Sequence, residues 1–306
     1  MGAVMGGSDI ETCDVALLGS DDIALCQLIF DTAYLDVHER HGLHVDGSDD
    51  ADWLRPILTR FVDTDPAGSV IAKRDGEPVA FACSVRRDDY WFLSFLFVMP
   101  AWQGRGLGRR LLTRVLPTDE VVRATAVESF QSVSTGLYAS FGMAPRSLKY
   151  WVTDLRHAER LPALPPSVTR TRASDADIAA IDGLDRKVLG FGRPADHAWW
   201  RKEGQACFSY RRGDDLVAYA YADGGFIGPA LAVDQDVLSA AVADLIRTSD
   251  DPKTAVVNVS GDSDQLFRML VEAGGRIDDN DVYRFVYCSS AGPLPSSYVH
   301  HSDWLP

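Results

Sequence analysis

The chain has 306 residues, of which 46% are hydrophobic, and its formal net charge at pH 7 is −14. The length predicts two domains, and the acidic charge argues against a nucleic acid partner, because phosphate neutralisation needs a basic surface. No apolar run reaches the roughly 18 residues of a membrane span, and the opening residues lack the basic and apolar regions of a signal peptide, so we expect a cytoplasmic protein that contacts no membrane.

The first half of the chain predicts a mixed α/β domain. Its expected elements, in chain order, are a strand (14–18), two helices (23–37 and 53–61), a hairpin (69–82), a strand (91–98), a helix (107–116), a strand (121–127), a helix (133–141) and a strand (148–154). Within the hairpin, the dipeptide Asp75-Gly76 predicts a type I′ turn.

A glycine-rich turn joins the strand at 91–98 to the helix that follows it. Residues 97–112 read FVMPAWQGRGLGRRLL. Alternate positions of this turn are glycine, namely Gly104, Gly106 and Gly108. A backbone without Cβ atoms lets a ligand approach the amides closely, and the amides at a helix N-terminus bind anions. Arg105 and Arg109 add full positive charges, so the turn is predicted to hold a phosphate group.

The second half repeats the order of elements after the proline-rich stretch LPALPPS. Residues 79–82 (VAFA) match residues 217–220 (VAYA) within corresponding hairpins. The expected elements are two helices (175–188 and 197–203), a hairpin (207–222), a strand (226–233), a helix (237–246), a strand (255–259), a helix (265–273) and a strand (283–288), followed by a loose tail from Ala291. The sequence therefore predicts a tandem repeat of one domain.

The glycine turn resembles motif A of the GNAT acetyltransferases, which binds the pyrophosphate of acetyl-CoA. The shared pattern is V-x-P-x-x-Q-G-x-G-x-G over residues 98–108. A Rossmann turn would read GxGxxG, and a P-loop would end in Gly-Lys-Ser/Thr. The resemblance implies a mixed α/β fold of two tandem GNAT-like acyl-CoA N-acyltransferase domains.

The first half of the chain resembles the family more closely than the second half does. We assign residues 1–156 to an acetyl-CoA-binding, catalytic GNAT domain (the first repeat) and residues 157–167 to a linker. Residues 168–290 form a degenerate, non-catalytic GNAT-like domain (the second repeat), and residues 291–306 a C-terminal tail. In place of the glycine turn the second repeat has VDQDV at 233–237. Carboxylates there would cap the helix but repel a pyrophosphate.

The resemblance also implies which residues bind acetyl-CoA. The strand before the turn would pair with the pantetheine arm, and the turn would hold the diphosphate. These positions are Leu96, Phe97 and Val98 in the strand and Gln103, Gly104, Arg105, Gly106, Leu107, Gly108 and Arg109 in the turn. Gln131 stands where the family often has an asparagine that contacts the pantetheine region. Ser132 and Ser134 are the alternative residues for this contact.

Tyr138 is the predicted general acid, because its phrase LYASFGM is similar to the family's LYxKxGF phrase, whose tyrosine commonly protonates departing coenzyme A. A phenol with a pKa of about 10 stays protonated at neutral pH, whereas a thiol with a pKa of about 8.5 leaves as thiolate.

Glu128 is the predicted general base, acting through a water. The alternative is an amine that arrives neutral, with water as the base.

In this family the acceptor pocket is usually lined by the loop after the first helix, which here contains Asp36, His38, Glu39, His41 and His44. We interpret its histidines as solvated and expect no metal. The five cysteines have no metal-ligand spacing, and we expect buried, reduced thiols. The acidic stretch at 46–52 favours a cationic substrate.

The predicted function is transfer of an acetyl group from acetyl-CoA to the amine of a small, cationic substrate. One alternative is an acyl-CoA-binding or sensing protein without turnover. Another is a different acyl-CoA chemistry on the same fold, namely O-acylation, acylation of a carrier protein or decarboxylation. Two covalently joined copies would make the chain a pseudo-dimeric monomer, although a homodimer is also compatible with the sequence.

Overall fold

A computed structural model describes residues 12–43, 53–278 and 284–306 of the chain. The chain divides into two compact units, residues 1–121 and residues 122–306. This division does not follow the proline-rich stretch, and the predicted domain boundaries at 156 and 168 stay a prediction.

The first unit is an antiparallel sheet covered by helices. Its strands pair in the order β1, β2, β3, β4. In chain order its described strands and α-helices are β1 (Asp14–Leu17), α1 (Ile23–Arg40), α2 (Leu54–Thr64), β2 (Ser69–Arg74), β3 (Glu77–Arg87), β4 (Tyr90–Val98) and α3 (Leu107–Val115). The turn between β2 and β3 has positive φ at both Asp75 (52°) and Gly76 (89°). A type I′ turn requires both, so the predicted hairpin is confirmed.

Aromatic rings from two helices and two strands fill the core of the first unit. Their centroids lie 4.7 to 6.5 Å apart, and the rings are those of Phe30, Phe61, Phe81, Phe95 and Phe97. Trp91 and Phe92 are also buried. Since large rings buried together exclude water from the sheet face, the aromatic residues of β4 from Trp91 to Phe95 belong to the core.

The second unit contains a longer mixed sheet. Its strands follow the order β5, β13, β6, β11, β10, β9, β8, β7, with β12 beside β6 and β14 beside β10. In chain order its strands and α-helices are β5 (Val122–Glu128), α4 (Ser132–Ala139), β6 (Ala144–Thr153), β7 (Thr169–Arg172), α5 (Ile178–Val188), α6 (Pro194–Lys202), β8 (Ala206–Arg212), β9 (Asp215–Asp223), β10 (Phe226–Ala232), α7 (Gln235–Arg247), β11 (Val256–Ser260), α8 (Asp264–Glu272), β12 (Arg276–Ile277), β13 (Phe285–Ser289) and β14 (Tyr298–Val299).

The last strands of the two repeats are exchanged within this sheet. β13, from the second repeat, lies between β5 and β6 of the first, with Val286 opposite both Val127 and Leu148. β6 in turn pairs with β11 of the second repeat, where Tyr150 lies opposite Val259. Because β5 and β6 are hydrogen-bonded to strands of the second repeat, they belong to the second compact unit.

The expectation of a loose tail from Ala291 is wrong. The tail segment (residues 291–306) contains β14, whose Tyr298 and Val299 are buried. β14 pairs with β10 in an antiparallel ladder. Its two residues were too short a run to predict a strand, and its pairing depends on a neighbour about 70 positions earlier in the sequence.

A buried charged cluster holds α5, α6 and β9 together in the second repeat. Asp185 accepts hydrogen bonds from Arg193 Nε (3.1 Å) and from the Tyr219 hydroxyl (2.5 Å), and its Oδ2 lies 2.8 Å from His197 Nε2. All four side chains are buried. Burial opposes the charge on Asp185, but Arg193 and His197 outweigh it and hold the pKa of Asp185 below its ordinary value.

We expect Arg193→Met to lower the free energy of unfolding by about 3–5 kcal/mol at pH 7, because Asp185 would keep a buried charge without its main partner. The matched control is Arg268→Met, which breaks the exposed ion pair with Asp264 and is expected to cost less than about 0.5 kcal/mol. Urea denaturation measures both. Equal losses in the two variants would contradict the assignment.

The same cluster predicts an acid-sensitive fold. Because the folded pKa of Asp185 is depressed, its stabilisation is present above the unfolded value near 4 and is lost as the pH falls through the folded pKa. The pH dependence of unfolding between pH 2 and 5 should therefore be smaller in Asp185→Asn than in the wild type.

Candidate active site

The glycine turn leaves β4 through a single 3₁₀ turn at Pro100–Trp102 and enters α3 at Leu107. Gly104 and Gly106 have φ values of +71° and +93°. Side chains with a Cβ rarely adopt these values, so both positions need glycine. A Cβ built on Gly104 would meet no atom within 4 Å, which leaves space for a ligand against the backbone.

The N-terminus of α3 has the properties of an anion site. Gly106 is its N-cap residue, and no side chain caps it. The amides of the first turn and the positive end of the helix dipole can therefore attract an anion. Arg105 and Arg109 are exposed beside it, and the Arg105 guanidinium lies 5.4 Å from the centre of the Trp102 ring. Leu107 is buried and anchors the helix to the core.

Gln103 braces the turn against the strand before it. Its Nε2 donates to the carbonyl of Val98 (2.9 Å), and its Oε1 accepts from Arg40 Nη2 (2.8 Å). The same Arg40 nitrogen pairs with Asp36 Oδ2 at 2.5 Å. Both ends of the Gln103 amide are thus hydrogen-bonded within the protein. A direct contact between this side chain and the cofactor stays a prediction. The bracing role of Arg40 was missed, since 63 residues separate it from Gln103 and no local pattern connects them.

The predicted pantetheine strand is the last third of β4. Leu96, Phe97 and Val98 lie opposite Ala82, Phe81 and Ala80 of β3, and all three are partly exposed. The ladder bulges on β4 between the partners of Cys83 and Ser84, which alters the direction of the strand just before these residues.

The second unit brings together the predicted base and the predicted amide. Glu128 ends β5 and is buried, and its carboxylate accepts a hydrogen bond from Gln131 Nε2. The Gln131 carbonyl oxygen Oε1 in turn accepts from the Ser134 hydroxyl at 3.0 Å. Gln131 therefore positions Glu128 at the start of α4.

Tyr138 lies on α4 and is 6% exposed. Burial raises its pKa, and the charges of Cys288 and Glu128 act in the same direction. The phenol therefore remains protonated throughout the neutral range, as a general acid must. Sequence reasoning did not anticipate Cys288 as a neighbour, because β13 reaches this region only through the strand exchange.

The predicted loop after the first helix is wrong in its first half, because α1 extends to Arg40 and includes Asp36, His38 and Glu39. The expectation of solvated histidines is wrong for His38. His38 is buried, with Nδ1 2.8 Å from the Tyr34 carbonyl, and Nδ1 of His41 lies 2.8 Å from the Val37 carbonyl. His44 and the acidic stretch at 46–52 lie outside the described residues. Within the ranges that the structure describes, no group of three His, Cys, Asp or Glu side chains could hold a metal ion. The cysteines in these ranges form no disulfide and are buried, as expected.

The corresponding position of the second repeat is closed to an anion. Asp234 caps α7, and its Oδ1 accepts from the amide of Val237 at 2.8 Å. Asp236 in the first turn accepts from Gln265 Nε2 at 2.7 Å. The prediction that carboxylates cap this helix is confirmed for Asp234. Leu270 precedes Gly274 by four residues, as Tyr138 precedes Gly142, so it is the counterpart of Tyr138, and it is buried.

Comparison with known proteins identifies the family of the region that contains the glycine turn. Residues 30–143 match the model of the acetyltransferase (GNAT) family, whereas no curated protein matches the chain. None of the helices in the described ranges is long and apolar enough to cross a membrane.

Three solved structures share the fold over nearly the whole chain. A putative acetyltransferase from Pyrococcus horikoshii is 15% identical with a TM-score of 0.73, covering 97% of this chain and 96% of that one. A GCN5-related N-acetyltransferase from Sphaerobacter thermophilus is 15% identical with a TM-score of 0.57, covering 94% and 99%. A tandem GNAT protein from the clavulanic acid biosynthesis pathway is 14% identical with a TM-score of 0.56, covering 92% and 99%. Residues 30–143 of the protein therefore match the acetyltransferase (GNAT) family, and the chain has the fold of a tandem GNAT protein.

Proposed function

We propose that the protein is an acetyl-CoA-dependent N-acetyltransferase whose first repeat acetylates a small, cationic amine. The observation that carries the proposal is the uncapped N-terminus of α3, reached through Gly104 and Gly106 in positive φ. The second repeat has a side-chain cap at the same place. One repeat can thus accept a diphosphate and the other cannot.

The residues of the first repeat fit acetyl-CoA in two parts. The amides of 104–109, with Arg105 and Arg109, would hold the diphosphate by charge-assisted hydrogen bonds. The backbone of 96–98 would pair with the amides of the pantetheine arm. When bound, acetyl-CoA supplies a thioester whose carbonyl is open to attack by an amine.

Proton transfer is assigned to two side chains of the second unit. Glu128, held by Gln131, would accept the proton that the attacking amine loses, through a water. Tyr138 would donate its phenolic proton to the sulfur that leaves. Most of the rate would come from positioning the two reactants.

The cationic acceptor is inferred from charge. The chain carries a net charge of −14, and a surface of one sign raises the local concentration of substrates of the opposite sign. A diamine should therefore be a better acceptor than a monoamine with the same chain length, and added salt should reduce the difference.

The test is thiol release from acetyl-CoA with matched acceptors: a linear diamine, the monoamine and the alcohol of the same length, and no acceptor. We expect release with both amines, fastest with the diamine, and acetylated amine as the product by mass spectrometry. Release with the alcohol alone would support O-acylation instead. Coenzyme binding without thiol release in the presence of any amine, alcohol or carrier protein would support a sensor, and thiol release without an acceptor would support hydrolysis. Loss of CO2 from malonyl-CoA without thiol release would support decarboxylation.

A further inference from the structure

The register of the sheet identifies which residues of the second repeat correspond to the pantetheine strand. In the first repeat, Ala80 of β3 lies opposite Val98 of β4. In the second, the matching Ala218 of β9 lies opposite Ala232 of β10. Counting back along both ladders, the counterparts of Leu96, Phe97 and Val98 are Ala230, Leu231 and Ala232.

These three residues of β10 are already paired, and their partner is the tail segment. Val299 lies opposite Ala230, and Tyr298 lies opposite Leu231. The amide of Ala232 donates to the carbonyl of Ser297 at 3.0 Å. The tail segment thus extends along β10 over the same positions that the pantetheine arm would take on β4.

The tail enters where two strands part. β10 pairs in parallel with β11 at Phe226 and Ile227, and the β9–β10 ladder is irregular between Ile227 and Ala230. Beyond that irregularity, β14 is the antiparallel neighbour of β10. A Cβ on Gly228 would lie 2.5 Å from the carbonyl oxygen of His300, so only glycine lets the tail approach this closely.

Two buried cations hold the tail segment in place. Arg193 Nη1 donates to the Tyr298 hydroxyl (2.8 Å) and to the carbonyl of Pro306 (2.6 Å). Lys149 Nζ donates to the carbonyl of Ser302 at 2.8 Å. The same Nζ pairs with Asp303 at 2.5 Å. Both cations are buried. Arg193 also pairs with Asp185, whereas Lys149 pairs with the tail. Because removing the partner of a buried charge is costly, Lys149 in particular favours the bound tail.

We propose that the groove beside β10 is a peptide-binding groove, and that its ligand is the tail segment of the same chain. The tail takes the place of a pantetheine arm by adding a strand and closes the second repeat to acyl-CoA. This inference rests on the proposed function only where that function identifies 96–98 as the pantetheine strand.

Amide hydrogen exchange on the full-length wild type tests the proposal. In the absence of ligand, the amides of 297–301 should exchange at least about 100-fold more slowly than in an unstructured peptide, because this stretch is buried and β14 within it is paired with β10. Added coenzyme A should slow exchange at 96–109 and leave 230–237 and 297–301 unchanged. Fast exchange at 297–301, or protection of 230–237 by coenzyme A, would overturn the proposal.

A variant pair opens the groove. The antiparallel ladder alternates, so the residue two positions from the Ala232–Ser297 bond, Val299, is expected to donate its amide to Ala230. Val299→Pro removes that donor, and Val299→Ala keeps it. Exchange at 230–232 should rise about tenfold or more in Val299→Pro and less than about threefold in Val299→Ala.

A synthetic peptide of residues 295–306 should then bind Val299→Pro and not the wild type. An excess of scrambled peptide should change the signal of neither protein. Binding of the peptide to the wild type with equal affinity would show an unoccupied groove and refute the proposal. If Val299→Pro does not fold, the wild-type exchange pattern still decides. Coenzyme A that protects no segment would refute the proposed function, whereas slow exchange at 297–301 would still support the tail.

Discussion

Gly106→Asp should weaken coenzyme A binding by about 10³-fold. A carboxylate about 4 Å from a phosphate charge costs about 4 kcal/mol at an effective dielectric constant near 20, and each 1.4 kcal/mol is a factor of ten in affinity. The substitution also places a carboxylate at the N-terminus of α3, as Asp234 does at α7 in the second repeat. Isothermal titration calorimetry with coenzyme A measures the effect.

The matched control for this variant is Gly76→Asp. Gly76 has φ of +89°, close to the +93° of Gly106, and a Cβ there meets no atom within 4 Å. Both variants should lose about 1 kcal/mol of stability from the left-handed backbone, but only Gly106→Asp should lose coenzyme A. An unchanged affinity in Gly106→Asp would place the diphosphate elsewhere, and an equal loss in both would attribute it to misfolding.

Tyr138→Phe should lower kcat by about 10² while the Kd for acetyl-CoA stays within about twofold, since the loss of a general acid affects the transition state and not the bound substrate. The phenyl ring still fills the buried site, so the fold is retained. Stopped-flow thiol release and equilibrium binding separate the two quantities.

Tyr210→Phe serves as the control, because it removes another buried phenol, one that donates to the Ala241 carbonyl at 3.1 Å. It should cost about 1 kcal/mol of stability with no effect on kcat. Because burial raises the pKa of Tyr138, its acid form persists to pH values above 10, and the wild-type rate should show no alkaline loss from this group below pH 10. An unchanged kcat in Tyr138→Phe would contradict the assignment of Tyr138 as the acid, and an alkaline limb near pH 8 that disappears in this variant would contradict the raised pKa.

The strand exchange places a strand of the second repeat beside the elements that carry Glu128 and Tyr138. β13 is hydrogen-bonded on one side to β5, which ends at Glu128, and on the other side to β6, which follows Tyr138. The second repeat therefore contributes directly to the packing of the proposed acid and base. A protein truncated after the linker would lack β13, and β5 and β6 would each lose the partner between them.

Local sequence patterns determined most of the elements and the candidate anion site. The type I′ hairpin at Asp75-Gly76 and the turn at Gly104 and Gly106 were predictable because positive φ restricts the residue type at single positions. The cap at Asp234 was predictable for the same reason, since it depends on a side chain and an amide three residues apart. Each of these features is decided within a few bonds of the residues that show it.

Only the tertiary structure decided which strands are neighbours. β13 and β6 read as the final strands of their own repeats, and no feature of either strand indicates that they exchange partners. Likewise, nothing local in Tyr298 and Val299 predicts pairing with β10, and Arg40 gives no sign of reaching Gln103. Backbone donors and acceptors are the same at every residue, so a strand's partner is selected by the fit of side chains across the whole sheet, and a pattern confined to one segment cannot contain that choice.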